Sequence, residues 1–322
     1  MQILGIDIGY YATKIVGENL ETAFPSVAGT PDKARYKMMG GSSFTITIPE
    51  DGEWMIGTDA IEQSRTIQRR EDRNWIESNE YYRLFIASLS FAHDSHVKVV
   101  TGLPVAFYDD KMKVQNIVMN THGFSVGDTE RVVNVEDCRV IPQPFGTAID
   151  MALDNNGFII DNEIATGTVG ILDIGGKTTN ILTVTKLSER ARQTTSVNVG
   201  GWNIVRALRG FFDNKYPDIE LRDHEMQRVI IDGYFKYFGE MIDVREVIND
   251  AISPIVAQIV DETTHLWNGG ANLDRIVITG GGALLMKDYI LPRYRHAKMS
   301  TDPIYGNARG YYKLAKRIYG NA

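Results

Sequence analysis

The sequence predicts an α/β chain built by duplicating one βββαβα unit, with a ligand held between the two copies. Three observations carry that reading. The length of 322 residues sets a prior of two domains, each with chain enough for a real core. The stretch Ile171-Leu172-Asp173-Ile174-Gly175-Gly176-Lys177-Thr178-Thr179-Asn180, followed by Ile181-Leu182-Thr183-Val184, is an apolar strand ending in one carboxylate, a glycine turn and a returning β-branched strand. Leu4-Gly5-Ile6-Asp7-Ile8-Gly9-Tyr10-Tyr11-Ala12-Thr13-Lys14-Ile15-Val16 repeats that grammar, so that Asp7 matches Asp173, Gly9 matches Gly175 and Thr13 matches Thr179.

The two turns share a chemistry. Glycines can take positive φ and let backbone N–H groups approach a ligand, which makes a nest for phosphate oxygens. A carboxylate beside bare phosphate would be repelled, so Asp7 and Asp173 make sense there only with a cation between. Magnesium, which keeps its waters and favours carboxylate and phosphate oxygens, is the natural choice. Either turn alone is equally a plain hairpin whose Asp starts an Asx-turn. The repeat argues against two unrelated hairpins and for a clamp on one nucleotide–metal complex.

Composition narrows the class. Hydrophobic content of 43% and charged content of 23% are ordinary globular values, and a net charge of -7 gives no footprint of direct nucleic-acid binding. One cysteine, Cys138, cannot form an internal disulfide, which fits a reducing cytoplasm. The chain enters a strand at once, without a signal-peptide pattern, and no apolar stretch approaches the ~20 residues that span a bilayer. A cytoplasmic protein with no membrane contact is expected.

In order, Ile3 to Ile8 and Thr13 to Val16 read as strands around the first turn, with a third over Asn19 to Phe24. Gly29 to Arg73 is polar and Gly-rich, with short strands at Phe44 to Ile48 and Trp54 to Gly57 joined by the turn signal Asp51-Gly52; it reads as an insertion subdomain rather than core sheet. A helix is expected over Asn79 to His93, a buried strand over Val97 to Pro104, a strand over Arg131 to Ile141 and a break at Pro142 to Gly146. A connecting helix over Gly146 to Asp154 follows. Past the second turn, Thr194 to Val199 reads as a strand entering Gly200-Gly201, then a helix over Trp202 to Phe212. Leu221 to Phe238 and Asp243 to Leu266 are long helical patterns, with Pro254 expected to kink or break the latter. Arg275 to Thr279 is a short buried strand ending in Gly280-Gly281-Gly282, and a basic amphipathic helix runs to Ile318.

Five segments in this order resemble the actin, Hsp70 and sugar-kinase superfamily of ATPases. Asp7 to Lys14 and Asp173 to Asn180 look like its two phosphate loops and Thr279 to Ala283 its adenosine loop. Pro142 to Ala148 and Pro303 to Gly310 look like its two connecting segments. Phe24-Pro25-Ser26, Trp54-Met55-Ile56-Gly57-Thr58-Asp59-Ala60, Val100-Thr101-Gly102-Leu103-Pro104-Val105 and Asp243-Val244 point within it to the ParM/StbA plasmid-segregation actins and related archaeal and bacterial actin homologues. The resemblance covers nearly the whole chain. It implies an actin-like fold of duplicated ribonuclease H-like domains with a nucleotide cleft between them. Domain I is then expected over 1–148, with the insertion at about 29–73 and completion by the C-terminal helix 305–322, and domain II over 149–304.

The resemblance also implies roles. Asp7 and Asp173 would hold the waters of a nucleotide-bound Mg²⁺; their other reading is turn capping. Gly9, Tyr10, Tyr11, Thr13 and Lys14 in the first loop, with Gly175, Gly176, Lys177, Thr178 and Thr179 in the second, would surround the phosphates. Tyr10 and Tyr11 stand where small or polar residues are frequent in the family. Lys14 would be a point charge on phosphate. Gln143 would orient the lytic water, since an amide can place water in line although it is no strong base; many prokaryotic relatives carry Glu there, and actin itself Gln. Gly200, Gly201, Gly280, Gly281, Gly282 and Ala283 would accept ribose and base against backbone. Glu225 and Arg228, three apart on one helical face, resemble a Glu-x-x-Lys pair that touches ribose and adenine; a surface ion pair is the plain alternative. His93, His96, His122, His224, His265 and His296 show no metal-ligand spacing. Trp202 and Trp267 read as packing residues.

The function expected is a filament-forming ATPase that binds and hydrolyses ATP to ADP with Mg²⁺, GTP being an alternative nucleotide. It would assemble head to tail with itself and serve plasmid or DNA segregation, with a DNA-binding adaptor as a further partner. A small-molecule kinase of the same fold is the alternative. It would need a base carboxylate and a sugar-shaped pocket, and the sequence names neither. An Hsp70-like chaperone ranks lower, because the chain ends just after the second connecting segment. An MreB-type membrane role lacks an amphipathic N-terminal helix.

Overall fold

The computed structural model of the chain describes residues 1–31, 43–64, 66–68 and 73–320. It divides into two units, Met1–Asn162 with Tyr305–Ala322, and Glu163–Ile304. The first begins β1 (Gln2–Ile8), β2 (Ala12–Gly17), β3 (Leu20–Pro25), β4 (Ala28–Gly29), β5 (Thr45–Ile48), β6 (Gly52–Ile56), α1 (Thr58–Gln63) and β7 (Ile67–Gln68). It continues α2 (Asn79–Leu89), β8 (His96–Leu103), α3 (Lys111–Val118), β9 (Thr121–Val126), β10 (Thr129–Pro142) and α4 (Gln143–Ala152). After α5 (Asn162–Thr166), the second holds β11 (Thr168–Ile174), β12 (Thr179–Thr185), β13 (Ser188–Glu189), β14 (Thr195–Val197), α6 (Gly201–Lys215) and α7 (Asp223–Asp232). Then come β15 (Tyr234–Tyr237), β16 (Glu240–Asp243), α8 (Arg245–Trp267), β17 (Arg275–Thr279), α9 (Ala283–Ile290) and β18 (Ala297–Met299), and α10 (Gly306–Tyr319) returns to the first unit.

One plan is built twice. In the first unit β2 pairs antiparallel with β1 and β3, β1 runs parallel to β8, and β8 runs parallel to β10. In the second, β12 pairs antiparallel with β11 and β14, β11 runs parallel to β17, and β17 runs parallel to β18. The continuous apolar runs of β1, β8, β11, β12 and β17 follow from burial on both sheet faces, as expected of strands covered by helices. Their side chains feed two cores, one around Leu4, Ile6, Phe85 and Val99, the other around Leu172, Ile181, Ile276 and Met286.

Close packing in the first unit rests on glycine. A Cβ on Gly310 of α10 would lie 1.7 Å from the Gly146 carbonyl oxygen of α4, and one on Gly5 of β1 would lie 2.3 Å from that of Ala308. Helix α10 therefore sits backbone to backbone on both elements, a distance that no larger residue permits.

Several expectations are corrected. Of the segment 29–73 read as an insertion apart from the core sheet, residues 32–42, 65 and 69–72 lie outside the described residues. Its described strands β5 and β6 instead extend the first sheet, through pairing of Ile46 with Val126 and Thr47 with Ser125. Ile46, Ile48, Trp54 and Ile56 belong to the main core. The polar turn residues around them hid that role. Pro142 to Gly146 does not separate strand from helix: α4 starts at Gln143, with Pro144 in the first turn, where a missing N–H costs no helical bond. The pattern over Leu221 to Phe238 is a helix only to Asp232; Gly233 takes φ 81°, and Tyr234–Tyr237 forms a hairpin with Glu240–Asp243. Alternation in Tyr-Phe-Lys-Tyr was masked by the helical spacing before it. Of the kink or break expected at Pro254, the break does not occur, since α8 runs on through it.

Trp267 is buried and donates from Nε1 to Thr183 Oγ1 at 2.9 Å, a packing role. Cys138 is fully buried in β10, and burial pushes its thiol up to about 12, so it carries no reactive thiolate. Among the described residues no helix is long and apolar enough to cross a membrane.

Candidate functional site

The two turns occupy the same register in the two sheets. Asp7 stands opposite Lys14 and Ile8 opposite Thr13 across β1 and β2; Asp173 stands opposite Asn180 and Ile174 opposite Thr179 across β11 and β12. Gly9 N–H closes the first turn on the Ala12 carbonyl at 3.2 Å, and Gly175 N–H closes the second on that of Thr178 at 2.9 Å. The correspondence read from the sequence is thus one of hydrogen bonds as well as of letters.

Beneath each turn lies a buried threonine. Ser26 Oγ donates to the Gly9 carbonyl at 2.5 Å, so its proton is spent, and the Thr13 hydroxyl is left to donate to Ser26 Oγ at 3.0 Å. In the second unit Thr179 Oγ1 donates to the Val199 carbonyl at 2.7 Å. Both threonines, fully buried, serve as anchors that tie a turn to the segment beside it. In the second turn Thr178 is also buried, and Lys177 is half-buried. Tyr10 directs its ring edge-on to Trp75 with centroids 4.8 Å apart, so its bulk goes into the core margin. The Tyr11 carbonyl accepts from Ser26 N–H at 2.9 Å. Ser26 was legible only as part of Phe24-Pro25-Ser26; its bond to the turn is a matter of folding.

In the first unit three candidates meet. Asp7, 3% exposed, accepts from Lys14 Nζ on Oδ2 at 3.0 Å and from Gln143 Nε2 on Oδ1 at 3.2 Å. Gln143 is the first residue of α4, where β10 ends, and 136 positions of chain separate it from Asp7. The strand, interior to the sheet, delivers it at the ends of β10 and its parallel neighbour β8, and the helix start turns it toward Asp7. With Nε2 donating to the carboxylate, Oε1 is the acceptor that remains to orient a water.

In the second unit three glycine segments gather beside Asp173. Gly280 has φ +91°, donates its N–H to the Pro303 carbonyl at 3.0 Å, and a Cβ there would fall 2.3 Å from Ile174 O and 2.5 Å from Asp173 Oδ1. Gly282 N–H bonds the Ile174 carbonyl at 2.8 Å, and Ala283, buried at the start of α9, bonds Gly280. A Cβ on Gly200 would lie 2.5 Å from Gly176 O. Gly201 and Trp202 N–H, at the start of α6, donate to the Gly175 and Gly176 carbonyls at 3.0 and 2.8 Å. Nothing lies within 4 Å of the Cβ position of Gly281. Only glycine permits this approach of backbone to Asp173. Gly280→Ala is accordingly expected to lower the stability of the second unit by about 1–3 kcal/mol, read as a fall in its melting temperature.

Glu225 and Arg228 are not brought into that group by any bond. The Glu225 carboxylate accepts from Arg222 N–H at 2.7 Å, Arg228 is exposed, and no ion pair joins them. Direct metal ligation is also not built in, since among the described residues no three His, Cys, Asp or Glu side chains cluster as ligands. His122 is buried between the Tyr82 hydroxyl and the Val118 carbonyl; the side chain of His224 lies outside the described residues. Asp7 and Asp173 each stand singly at the end of the turn of their own unit, and a lone carboxylate suits the waters of a magnesium ion better than the bare ion.

Comparison with known proteins places this arrangement. Residues 5–146 match the N-terminal domain of actin-like proteins, and residues 171–291 match the MreB-like C-terminal domain of archaeal actin homologues. The chain belongs to the actin-like family. Archaeal actin homologues of Thermoplasma acidophilum and Thermoplasma volcanium are 25% and 23% identical to it over 333 aligned positions, covering 98% of this chain and 99% of each relative. The crystal structure of an archaeal actin homologue superposes with a TM-score of 0.84 at 19% identity, over 99% of this chain and all of that one. Its complex with ADP gives 0.79 at 18%, over 98% of this chain and all of that one. A ParM protein in a 15-stranded filament from Clostridium botulinum gives 0.79 at 20%, over 98% and 99% of the two chains. The fold is the actin-like one.

Proposed function

We propose that the chain is a cytoplasmic, filament-forming ATPase acting with Mg²⁺, GTP being an alternative nucleotide, and that it serves plasmid or DNA segregation through an adaptor protein. The observation that carries this is the convergence of Lys14 and Gln143 on Asp7, at the first of two matching turns. The ADP complex of an archaeal relative and the filament of a ParM protein support it.

The chemistry asks little covalent work of the protein, because phosphoryl transfer depends mainly on positioning and charge. Gly9 and Gly175 close the two turns with their own N–H groups, so that the turn backbone, the Gly176 amide included, can come onto phosphate oxygens, and Lys14 adds a positive charge beside them. Asp7 and Asp173 would hold the waters of a nucleotide-bound magnesium ion, which would supply charge neutralisation on those oxygens. The Gln143 amide, fixed by its bond to Asp7, accepts a hydrogen bond from the attacking water and sets its line.

Gln143→Ala is expected to slow single-turnover hydrolysis by about 10²-fold, the cost of a misplaced reactant, with nucleotide affinity changed little. Phosphate release and nucleotide titration read the two effects separately. A collapse of affinity with an unchanged rate would make Gln143 a binding residue and remove it from the hydrolytic step.

A further inference from the structure

Gln143 is held from behind by the last helix of the chain. Four residues on one stretch of α10 address four residues of α4. Asn307 Oδ1 accepts from Thr147 N–H at 3.2 Å and from the Thr147 hydroxyl at 2.9 Å. Gly310 lies against the Gly146 carbonyl with no room for a Cβ. Tyr311, fully buried, donates its hydroxyl to the Gln143 carbonyl at 3.3 Å. Lys313 donates from Nζ to the Asp150 carbonyl at 2.6 Å and pairs with Asp150 Oδ1 at 2.8 Å. These contacts span α4 from its first residue to its third turn. They fix both its rotation and its translation along α10. The Gly102 position of β8 completes the seat, since a Cβ there would lie 2.0 Å from the Tyr311 hydroxyl.

This arrangement is stronger than helix packing requires. Apolar packing alone leaves a helix free to slide or turn by small amounts, whereas Tyr311 addresses the backbone of the residue whose side chain reaches Asp7. We propose that α10 sets the place of Gln143, with Tyr311 and Asn307 as positioning residues that keep α4 in the register from which Gln143 reaches Asp7. The proposal rests on the reading of Gln143 as the residue that orients water. Neither Tyr311 nor Asn307 needs to touch nucleotide. The Asp150–Lys313 pair, nearly buried, locks the far end of the same register, and its loss would be a stability effect above all.

The test is a double-mutant cycle in the full chain. Tyr311→Phe removes one hydroxyl and keeps the ring. It is expected to slow single-turnover hydrolysis roughly three- to tenfold, the worth of one modest hydrogen bond, while nucleotide affinity stays within about twofold. In a Gln143→Ala background the same change should cost nothing further, because the group being positioned is gone. Asn307→Ala should behave likewise, and Asn307→Asp, which keeps an acceptor for Thr147, should restore the rate. Thermal melting of each variant accompanies the rates. A wild-type rate in folded Tyr311→Phe and Asn307→Ala, with Gln143→Ala slow, would overturn the inference and leave the functional reading intact. So would losses that multiply independently of Gln143. Absence of turnover in the wild type would instead strike the functional reading, and the inference with it.

Discussion

Asp173→Ala is expected to abolish nucleotide turnover in a protein that remains folded. The carboxylate lies one residue from the end of β11, opposite Asn180, only 6% exposed, with Gly280 pressed against it and Gly282 bonding the next residue. The glycines concede side chains, and with them core packing, to let backbone come within contact of one acidic group. A turn cap would not need that. If Asp173 orients the waters of nucleotide-bound magnesium, its removal costs charge stabilisation that matters most in the transition state, on the order of 10²–10³-fold or more in rate. The fold should tolerate the change, since β-strand pairing is by backbone. Phosphate release should fall to background while circular dichroism is unchanged and melting shifts by no more than about 4 °C, the effect of about 1 kcal/mol in a domain of this size. Turnover at the wild-type rate in a folded Asp173→Ala protein would sink the assignment of this carboxylate.

How much of this was legible before folding depends on how local the signal was. The two turns were readable because a strand, its terminal carboxylate and its glycines lie within ten residues, and their repetition gave the duplicated plan. Strand β17 was readable in full for the same reason, since Arg275–Thr279 is a short apolar run stopped by three glycines. The bond of Gln143 to Asp7 was not, because it spans 136 positions and is made by the start of a helix that Pro142 and Pro144 disguised as a break. The Tyr311 and Asn307 contacts with α4 span 168 and 160 positions and have no pattern in sequence at all. Strands β5 and β6 were misplaced because a half-buried strand and a surface hairpin share the same alternation; only the partner strand β9 decides between them. Thr13 and Thr179 were legible as matched positions, yet what they match in is anchoring. Both hydroxyls face the protein, and that follows from the third strand segment of each unit, which the turn motif does not contain.

Assembly is expected to depend on the γ-phosphate. One turn belongs to the first unit and its counterpart to the second, so a nucleotide that engages both favours whichever arrangement of the units lets both reach it. ATP offers a group that ADP lacks, and the differential affinity it brings is what can shift the balance between arrangements. An arrangement fixed by ligand presents constant surfaces, and a contact between unlike surfaces that does not close on itself generates a filament. The chain should therefore polymerise with Mg²⁺ and ATP or a non-hydrolysable analogue, above a critical concentration, and less well with ADP. GTP should also support it, because the Thr279 to Gly282 loop offers backbone contacts and no base-specific pair. Omission of Mg²⁺ should weaken assembly with every triphosphate, because on the proposed reading Asp7 and Asp173 would then meet phosphate with no cation to offset the repulsion. Pelleting and light scattering over a range of protein concentration decide the matter. A chain that stays monomeric with every nucleotide, well above micromolar concentration, would end the filament reading; turnover under those conditions would direct attention to a phosphate acceptor and so to a kinase of the same fold.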